Sequence, residues 1–311
     1  MDFENKKFAF VCPGQGSQFI GMGNELAQEN PIAKETFQEA DNILNFNLSK
    51  LAWEGPQENL NDTINTQPAL MTHSVAAWRV LLEKYPQIRP TFIAGHSMGE
   101  LTALVISGAL AFDQGLRLVR RRGELMKRAE EISPGKMAAI LGLDIPSVEE
   151  IITGENRDNE PVQVANDNCP GQVVISGASS SVDRVMEAAR EAGAKRTIPL
   201  AVSIAAHSPL MRHAQDDFNQ AVLAAPITQP NIPIIGNVSA QPLNSIDEIH
   251  NDLQSQLTHR VRWTESIEFI IGKGVNVFIE LGSGNVLSGL IRRINNKVER
   301  YSFGKPDDYH F

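Results

Sequence analysis

Thr91-Phe-Ile-Ala-Gly95-His-Ser-Met-Gly99-Glu-Leu-Thr-Ala-Leu-Val-Ile106 is the stretch that decides the fold. Its opening run, Thr91 to Ala94, reads as a short buried strand. Gly95-His96-Ser97-Met98-Gly99 fits the pattern G-x-S-x-G, and Glu100 to Ile106 has helical character with Gly108 placed to end it. In such a strand–turn–helix unit the serine sits on a tight bend where neighbouring side chains would clash, hence the glycines. The bend exposes Oγ and aims the following backbone N–H groups at the same point. Five loosely defined positions also arise as structural accidents, so the pattern alone leaves Ser97 open between a nucleophile and an ordinary turn serine. The strand before it and the helix after it are the context the functional reading requires.

Working outward, Phe8 to Val11 reads as a second buried strand, followed by the Gly-rich turn Pro13-Gly-Gln-Gly-Ser-Gln18. This turn is no dinucleotide fingerprint, because Phe19 stands where the third glycine belongs, and no P-loop lysine follows. Downstream, Asp113 is placed to cap a helix running to about Glu131. Strands alternating with helices predict an α/β fold with a largely parallel sheet. The rhythm then changes. Lys136 to Leu143 reads as a strand, Ser147 to Thr153 as a short helix, and Val162 to Ala165 and Gln172 to Ser176 as strands. Ser179 to Ala192 reads as a helix and Arg196 to Val202 as a final strand. That β-α-β-β-α-β order is the split ferredoxin-like arrangement. The expected organisation is a large α/β domain formed by residues 1–129 and 204–311, with a small inserted domain at 130–203.

Two further residues stand out. On the helix after Asp113, Arg122 has Leu118 and Leu125 at i−4 and i+3, and Val119 and Met126 at i−3 and i+4. Its guanidinium therefore sits in the middle of an apolar stripe, which is expensive unless it meets an anion. An internal salt bridge or snorkelling is the commoner outcome on helix geometry alone. Beside the turn upstream, a bidentate substrate carboxylate becomes the favoured reading, and a planar fork suits it better than lysine would. Arg120 and Arg121, with Glu124 at i+4 and i+3, read as solvated. His207 precedes Ser208-Pro209, a good N-cap and first residue for a helix reaching Val222. The positive end of that helix should keep the imidazole neutral, as a base requires. A histidine satisfied at a loop surface is the plain alternative, and with seven histidines position alone selects none. His96 adjoins Ser97, but its side chain is expected to point away from Oγ.

The 311 residues, 42% hydrophobic and 21% charged, have a globular composition able to bury a core. The run Phe8 to Val11 is too short for a signal segment, and no stretch approaches a membrane span. Cys12 and Cys169 lie far apart without paired spacing, which fits a reducing cytoplasmic setting. No Cys/His spacing suits zinc, and no metal is expected. The net charge of −9 argues against nucleic acid. It also means that an acidic partner needs a local basic surface. Candidates are Arg117, Arg120, Arg121, Lys127 and Arg128, then Lys195 and Arg196, then Arg292, Arg293 and Lys297. Each taken singly is an ordinary solvated cation.

Several segments together resemble the malonyl-CoA:acyl carrier protein transacylase family. They are Pro13-Gly-Gln-Gly-Ser-Gln18, Thr66-Gln-Pro-Ala-Leu70, Gly95-His-Ser-Met-Gly-Glu100 and Arg122-Gly123. Asn168-Cys-Pro-Gly-Gln-Val-Val174, His207-Ser-Pro-Leu-Met211 and Glu280-Leu-Gly-Ser-Gly-Asn-Val-Leu287 continue the series. They are in family order and spread over nearly the whole chain. The resemblance implies a hydrolase-like α/β domain with a ferredoxin-like insert. It implies Ser97 as nucleophile, His207 as general base and Arg122 as ligand of the malonyl carboxylate. It further implies an oxyanion hole from the backbone N–H groups of Gln15 and Met98, a backbone carbonyl at Gln256 orienting the histidine, and Gln67 and Asn168 lining the cleft. Substrates and partners would be malonyl-CoA and acyl carrier protein, with coenzyme A entering only as the thioester and no further cofactor. No nucleic-acid or membrane partner is expected, and a monomer is. The sequence departs from the family at Gly282-Ser283-Gly284, where Gly-Pro-Gly is usual. It departs again at Ile204-Ala-Ala before His207, which matches none of the tetrapeptides that separate malonyl from methylmalonyl transferases. Rival readings are a stand-alone acyltransferase of a polyketide synthase, a serine esterase or thioesterase, and a non-catalytic module on the same fold.

Overall fold

A computed structural model describes residues 6–155, 157, 159–202 and 204–309. Ten strands are present among them. They are β1 (Phe8–Cys12), β2 (Phe92–Gly95), β3 (Lys136–Leu141), β4 (Val162–Cys169), β5 (Gln172–Gly177), β6 (Arg196–Pro199), β7 (Ile234–Ile235), β8 (Pro242–Leu243), β9 (Val277–Leu281) and β10 (Glu299–Phe303). β1, β2 and β9 are buried at every residue. Their unbroken apolar runs suit strands covered on both faces. The first sheet has the order β10-β9-β1-β2-β7-β8 and is parallel throughout except for the β7–β8 pair. β1 and β2 pair in register to their ends, Cys12 opposite Gly95. The Gly-rich turn and the serine turn therefore leave the sheet side by side, at the carboxyl ends of its strands, where open α/β sheets bind ligands.

The second sheet is antiparallel in the order β4-β5-β3-β6 and carries the helices Ile145–Glu155 and Ser179–Glu191. This is the β-α-β-β-α-β unit expected from the sequence, with a hydrophobic cluster of its own built on Ile140, Val164, Ile175 and Val185. β4 runs on to Cys169, beyond the expected end at Ala165, with register irregularities at Val164/Asn166 and Asp167/Cys169. Its far end bridges to the segment just before the helix Trp263–Gly272, since Val261 N donates to Ala165 O at 2.8 Å and Asp167 N to Val261 O at 3.0 Å. β3 stops at Leu141 and not Leu143, because Gly142 turns the chain at a φ of 97°. β6 stops at Pro199 and not Val202, and the residues after it line the cleft described below. Ser203, at the expected boundary, lies outside the described residues.

The helix bearing Arg122 spans Phe112–Ile132. Its N-cap is Ala111, in an extended conformation, with no side-chain cap. Asp113 therefore falls inside the first turn, where it complements the helix dipole and does not cap. His207 also differs from expectation. Ser208 caps a 3-10 turn, Pro209–Met211, and the α-helix proper is Arg212–Ala224. Among the described residues no helix is long and apolar enough to cross a membrane, and no group of three or more His, Cys, Asp or Glu could hold a metal ion.

The strand–turn–helix unit tolerates no bulk. A Cβ at Gly95 would stand 1.9 Å from the Gly99 carbonyl carbon, and one at Gly99 2.2 Å from Cys12 O. Both obstacles are backbone and cannot swing aside. Gly99→Ala is therefore expected to destabilise the fold by about 3 kcal/mol or more, as overpacking does when nothing can relax. The measurement is the urea midpoint of the variant against the parent, and an unchanged midpoint would contradict this packing.

Candidate active site

Ser97 occupies the left-handed region at φ 53°, a conformation uncommon for a residue with a side chain. It is held there from the neighbouring strand of the first sheet. Asn237, just after β7, accepts from Ser97 N through Oδ1 at 2.7 Å and donates through Nδ2 to Gly95 O at 2.6 Å. The asparagine thus clamps both ends of the bend. No local signal marks it, and the sequence reading missed it.

Ser97 Oγ lies 2.8 Å from His207 Nε2, and His207 Nδ1 lies 2.8 Å from the Gln256 carbonyl oxygen. A carbonyl only accepts, so the proton sits on Nδ1 and Nε2 is left to accept from the serine hydroxyl. His207 is 2% exposed and itself has a φ of 57°. Burial, then the Arg122 cation, push its pKa down to about 3. The ring is neutral as expected, although burial is the principal cause and the helix end is not. Gln163 of β4 donates to the carbonyl oxygens of His207 at 2.6 Å and Thr258 at 2.9 Å. It fastens the histidine loop to the antiparallel sheet, a link no sequence pattern could announce.

Arg122 is 1% exposed, which rules out snorkelling. Nη1 donates to Gln67 Oε1 at 3.0 Å and contacts Met126 Sδ, while Nη2 donates to Gln256 Oε1 at 2.8 Å and to Ser97 Oγ at 3.2 Å. Among the described residues it makes no ion pair, and its Nε has no partner at all. Burial lowers its pKa to about 10, against the pull of Glu100, so it remains cationic. A buried cation surrounded by neutral acceptors, with a donor to spare, is what a ligand carboxylate would complete.

Ser97, His207 and Arg122 border one cleft of about 310 Å³, together with Gln15, His96 and Met98. Gly14 brings the Gly-rich turn against the bend, where an added Cβ would meet His96 O at 2.6 Å. The N–H groups of Gln15 and Met98 donate to no protein acceptor among the described residues. Gln67 and Asn168 stand one layer behind the cleft wall. Gln67 is fully buried against Arg122, and Asn168 Oδ1 holds His96 Nε2 at 2.8 Å, turning that ring from the serine. The irregular end of β4 puts Asn166 on the wall in its place. The cations Arg120, Arg121, Lys127 and Arg128 do not converge on the cleft as free charges. They pair with Glu124, Asp217 and Asp62, all at least partly exposed.

A hydroxyl against a neutral imidazole, two unengaged N–H groups beside it and an unpaired guanidinium across the cleft together suit acyl transfer from an acyl group bearing an acid. The comparisons agree. Residues 9–300 match the family model described as acyl transferase domain. The chain is 45% identical over 303 residues to the malonyl CoA-acyl carrier protein transacylase of Bacillus subtilis, covering 97% of this chain and 94% of that protein. The solved transacylase of Coxiella burnetii superposes with a TM-score of 0.95 at 41% identity, over 98% of this chain and 96% of that one. A malonyl-transacylase solved in complex with a type II polyketide acyl-carrier protein gives the same TM-score at 41% identity, over 98% of both chains. The chain belongs to the malonyl-CoA:acyl carrier protein transacylase family.

Proposed function

We propose that this protein transfers a malonyl group from malonyl-CoA to the phosphopantetheine thiol of an acyl carrier protein, supplying fatty-acid synthesis. One observation carries the reading. Ser97 Oγ touches both His207 Nε2 and Arg122 Nη2, at 2.8 and 3.2 Å. An acyl group whose second carboxyl lies one methylene beyond its thioester carbonyl can meet the serine at one end and the guanidinium at the other.

In this mechanism His207 takes the Ser97 proton as Oγ attacks the thioester carbonyl carbon. Charge moves to the carbonyl oxygen and is met by the N–H groups of Gln15 and Met98, each contributing about 3 kcal/mol. The tetrahedral species collapses with loss of the coenzyme A thiolate, which takes up the proton held by His207, and malonyl-Ser97 remains. The carrier thiol then gives its proton to His207 and attacks the ester carbonyl, and collapse expels the Ser97 oxygen, which takes that proton back from His207. Two thioesters and one ester lie close in energy, so transfer is reversible and ping-pong. The chemistry calls for no metal or redox group. Residues 130–203 act as a small domain forming one wall of the cleft, and the protein works as a cytoplasmic monomer. A stand-alone acyltransferase of a polyketide synthase would use the same chemistry, and the likeness to the polyketide complex keeps that pathway as the alternative.

Ser97→Ala is expected to abolish the mass increase that malonyl-CoA produces on the intact protein. Arg122→Ala is expected to lower malonyl-CoA acylation by roughly 100-fold, since charged hydrogen bonds contribute about 1.5–3 kcal/mol each. Acetyl-CoA acylation should change far less, and equal losses for both substrates would remove Arg122 from the selectivity role. The low His207 pKa sets a pH test. The base works as the neutral ring, so its activity is lost only as pH falls toward about 3. An ordinary histidine would lose roughly 30-fold of its neutral fraction by pH 5. The rate of Ser97 acylation, read by quenched mass spectrometry, should stay nearly level from pH 8 to pH 5. A limb centred near pH 6.5 would refute the burial account.

A further inference from the structure

Glu100 follows the serine turn immediately and is 1% exposed. A buried carboxyl without a cationic partner needs an explanation, and the mechanism above does not use this one. Its place in the first turn of the helix Gly99–Ile106 offers part of one through the helix dipole. Its contacts offer more. Oε1 accepts from Asn237 N at 3.3 Å, and Oε2 accepts from the Gln256 side-chain Nε2 at 2.5 Å. The same Nε2 donates to Ser97 O at 3.1 Å, and the other end of that amide, Oε1, accepts from Arg122 Nη2 at 2.8 Å.

An amide can occupy its site in two orientations that differ only in which end is the donor. Turned over, Gln256 would set an NH2 against the guanidinium and an oxygen against the Ser97 carbonyl and Glu100. Donor would then face donor, and acceptor would face acceptor. The longer bond to Ser97 O favours the observed orientation, and the short one to Glu100 adds to it. We propose that Glu100 is a positioning residue for the acyl-carboxylate site, holding the Gln256 amide so that its oxygen anchors Arg122 Nη2 beside Ser97. This inference rests on the reading of Arg122 as the carboxylate ligand. Glu100 itself never touches substrate.

The charge state of Glu100 fits that role. Burial, then the neighbouring Asp252 carboxyl, hold Glu100 toward its protonated form. Asp252 is occupied by the N–H groups of Val238 and Ser239, at 3.1 and 2.9 Å. A protonated Glu100 still offers an acceptor oxygen to Gln256. The requirement is therefore for an acceptor at this place and not for a negative charge.

The test compares kcat/KM for malonyl-CoA and acetyl-CoA in four variants: Glu100→Met, Glu100→Gln, Gln256→Met and Glu100→Met/Gln256→Met. Arg122→Ala and a thermal melt accompany them. Glu100→Met should lower the malonyl-to-acetyl ratio by roughly tenfold or more, as expected for losing one hydrogen bond to a charged group, with the change mainly in KM. Glu100→Gln should keep the parental ratio. The double variant should match Gln256→Met, because residues acting through one another are not additive. If Glu100→Met does not fold, Glu100→Asp, which withdraws the carboxyl by one methylene, should show the same loss. Equal loss for both substrates, additive effects in the double variant, or a Glu100→Gln ratio as poor as that of Glu100→Met would each overturn the proposal. Where Arg122→Ala alters the ratio and Glu100→Met does not, only the Glu100 role fails. An Arg122→Ala variant with the parental ratio takes away the underlying reading as well.

Discussion

The site depends on a guanidinium kept out of water without a carboxylate to meet it. Two glutamine oxygens, a serine hydroxyl and a thioether surround Arg122. They satisfy part of its hydrogen-bonding capacity and none of its charge. That uncompensated charge has consequences throughout the cleft. It helps keep the imidazole at His207 neutral, since a second cation so near would be repelled. It demands fixed acceptors at Gln67 and Gln256, because a mobile side chain would let the guanidinium drift toward water. It also supplies an empty partner position for an anion, beside the hydroxyl that would receive the acyl group.

The backbone around the serine is the second constraint. Ser97 sits at a positive φ, and such strain persists only where surrounding contacts over-determine it. Here the contacts are the glycine approaches of Gly95 and Gly99 against neighbouring backbone, together with the Asn237 clamp. His207 has a positive φ as well, and is held by Gln163, Gln256 and the Ser208 turn. The two strained residues face each other across 2.8 Å, one supported by the parallel sheet and the other partly by the antiparallel one. The edge strand β4 reaches the histidine loop through Gln163 and the segment before the helix Trp263–Gly272 through its bridge to Val261.

Much of this could be read in the sequence, because it is written locally. The glycine spacing around Ser97 reports a bend. Leucines and a methionine three and four residues from Arg122 report that it faces inward, and the change of rhythm after Lys136 reports a second sheet. What escaped reading depends on distant partners. Asn237, Gln163 and Glu100 are ordinary polar residues whose roles come from contacts 140, 44 and 156 positions away. β7 has only two residues, too few for any periodicity to show. The exchange of Asn168 for Asn166 on the cleft wall follows from irregular pairing at the end of β4, and alternation along an ideal strand cannot foresee it.

Charge links the interior to the surface. Arg120, Arg121, Lys127 and Arg128 share a helix with Arg122, yet each lies near a carboxylate within reach of solvent. Exposed pairs of this kind contribute little and are screened by salt within about 10 Å at ordinary ionic strength. Arg122 is screened by neither solvent nor a paired acid. A helix carrying six cations therefore pairs four of the outer five with carboxylates and turns one strong charge inward. In a chain of net charge −9, that division would, under the proposed function, keep the choice of acyl group independent of how an acidic partner approaches. An acyl carboxylate bound as proposed would meet a field from a single buried residue, whereas a protein partner would meet the cations at the rim.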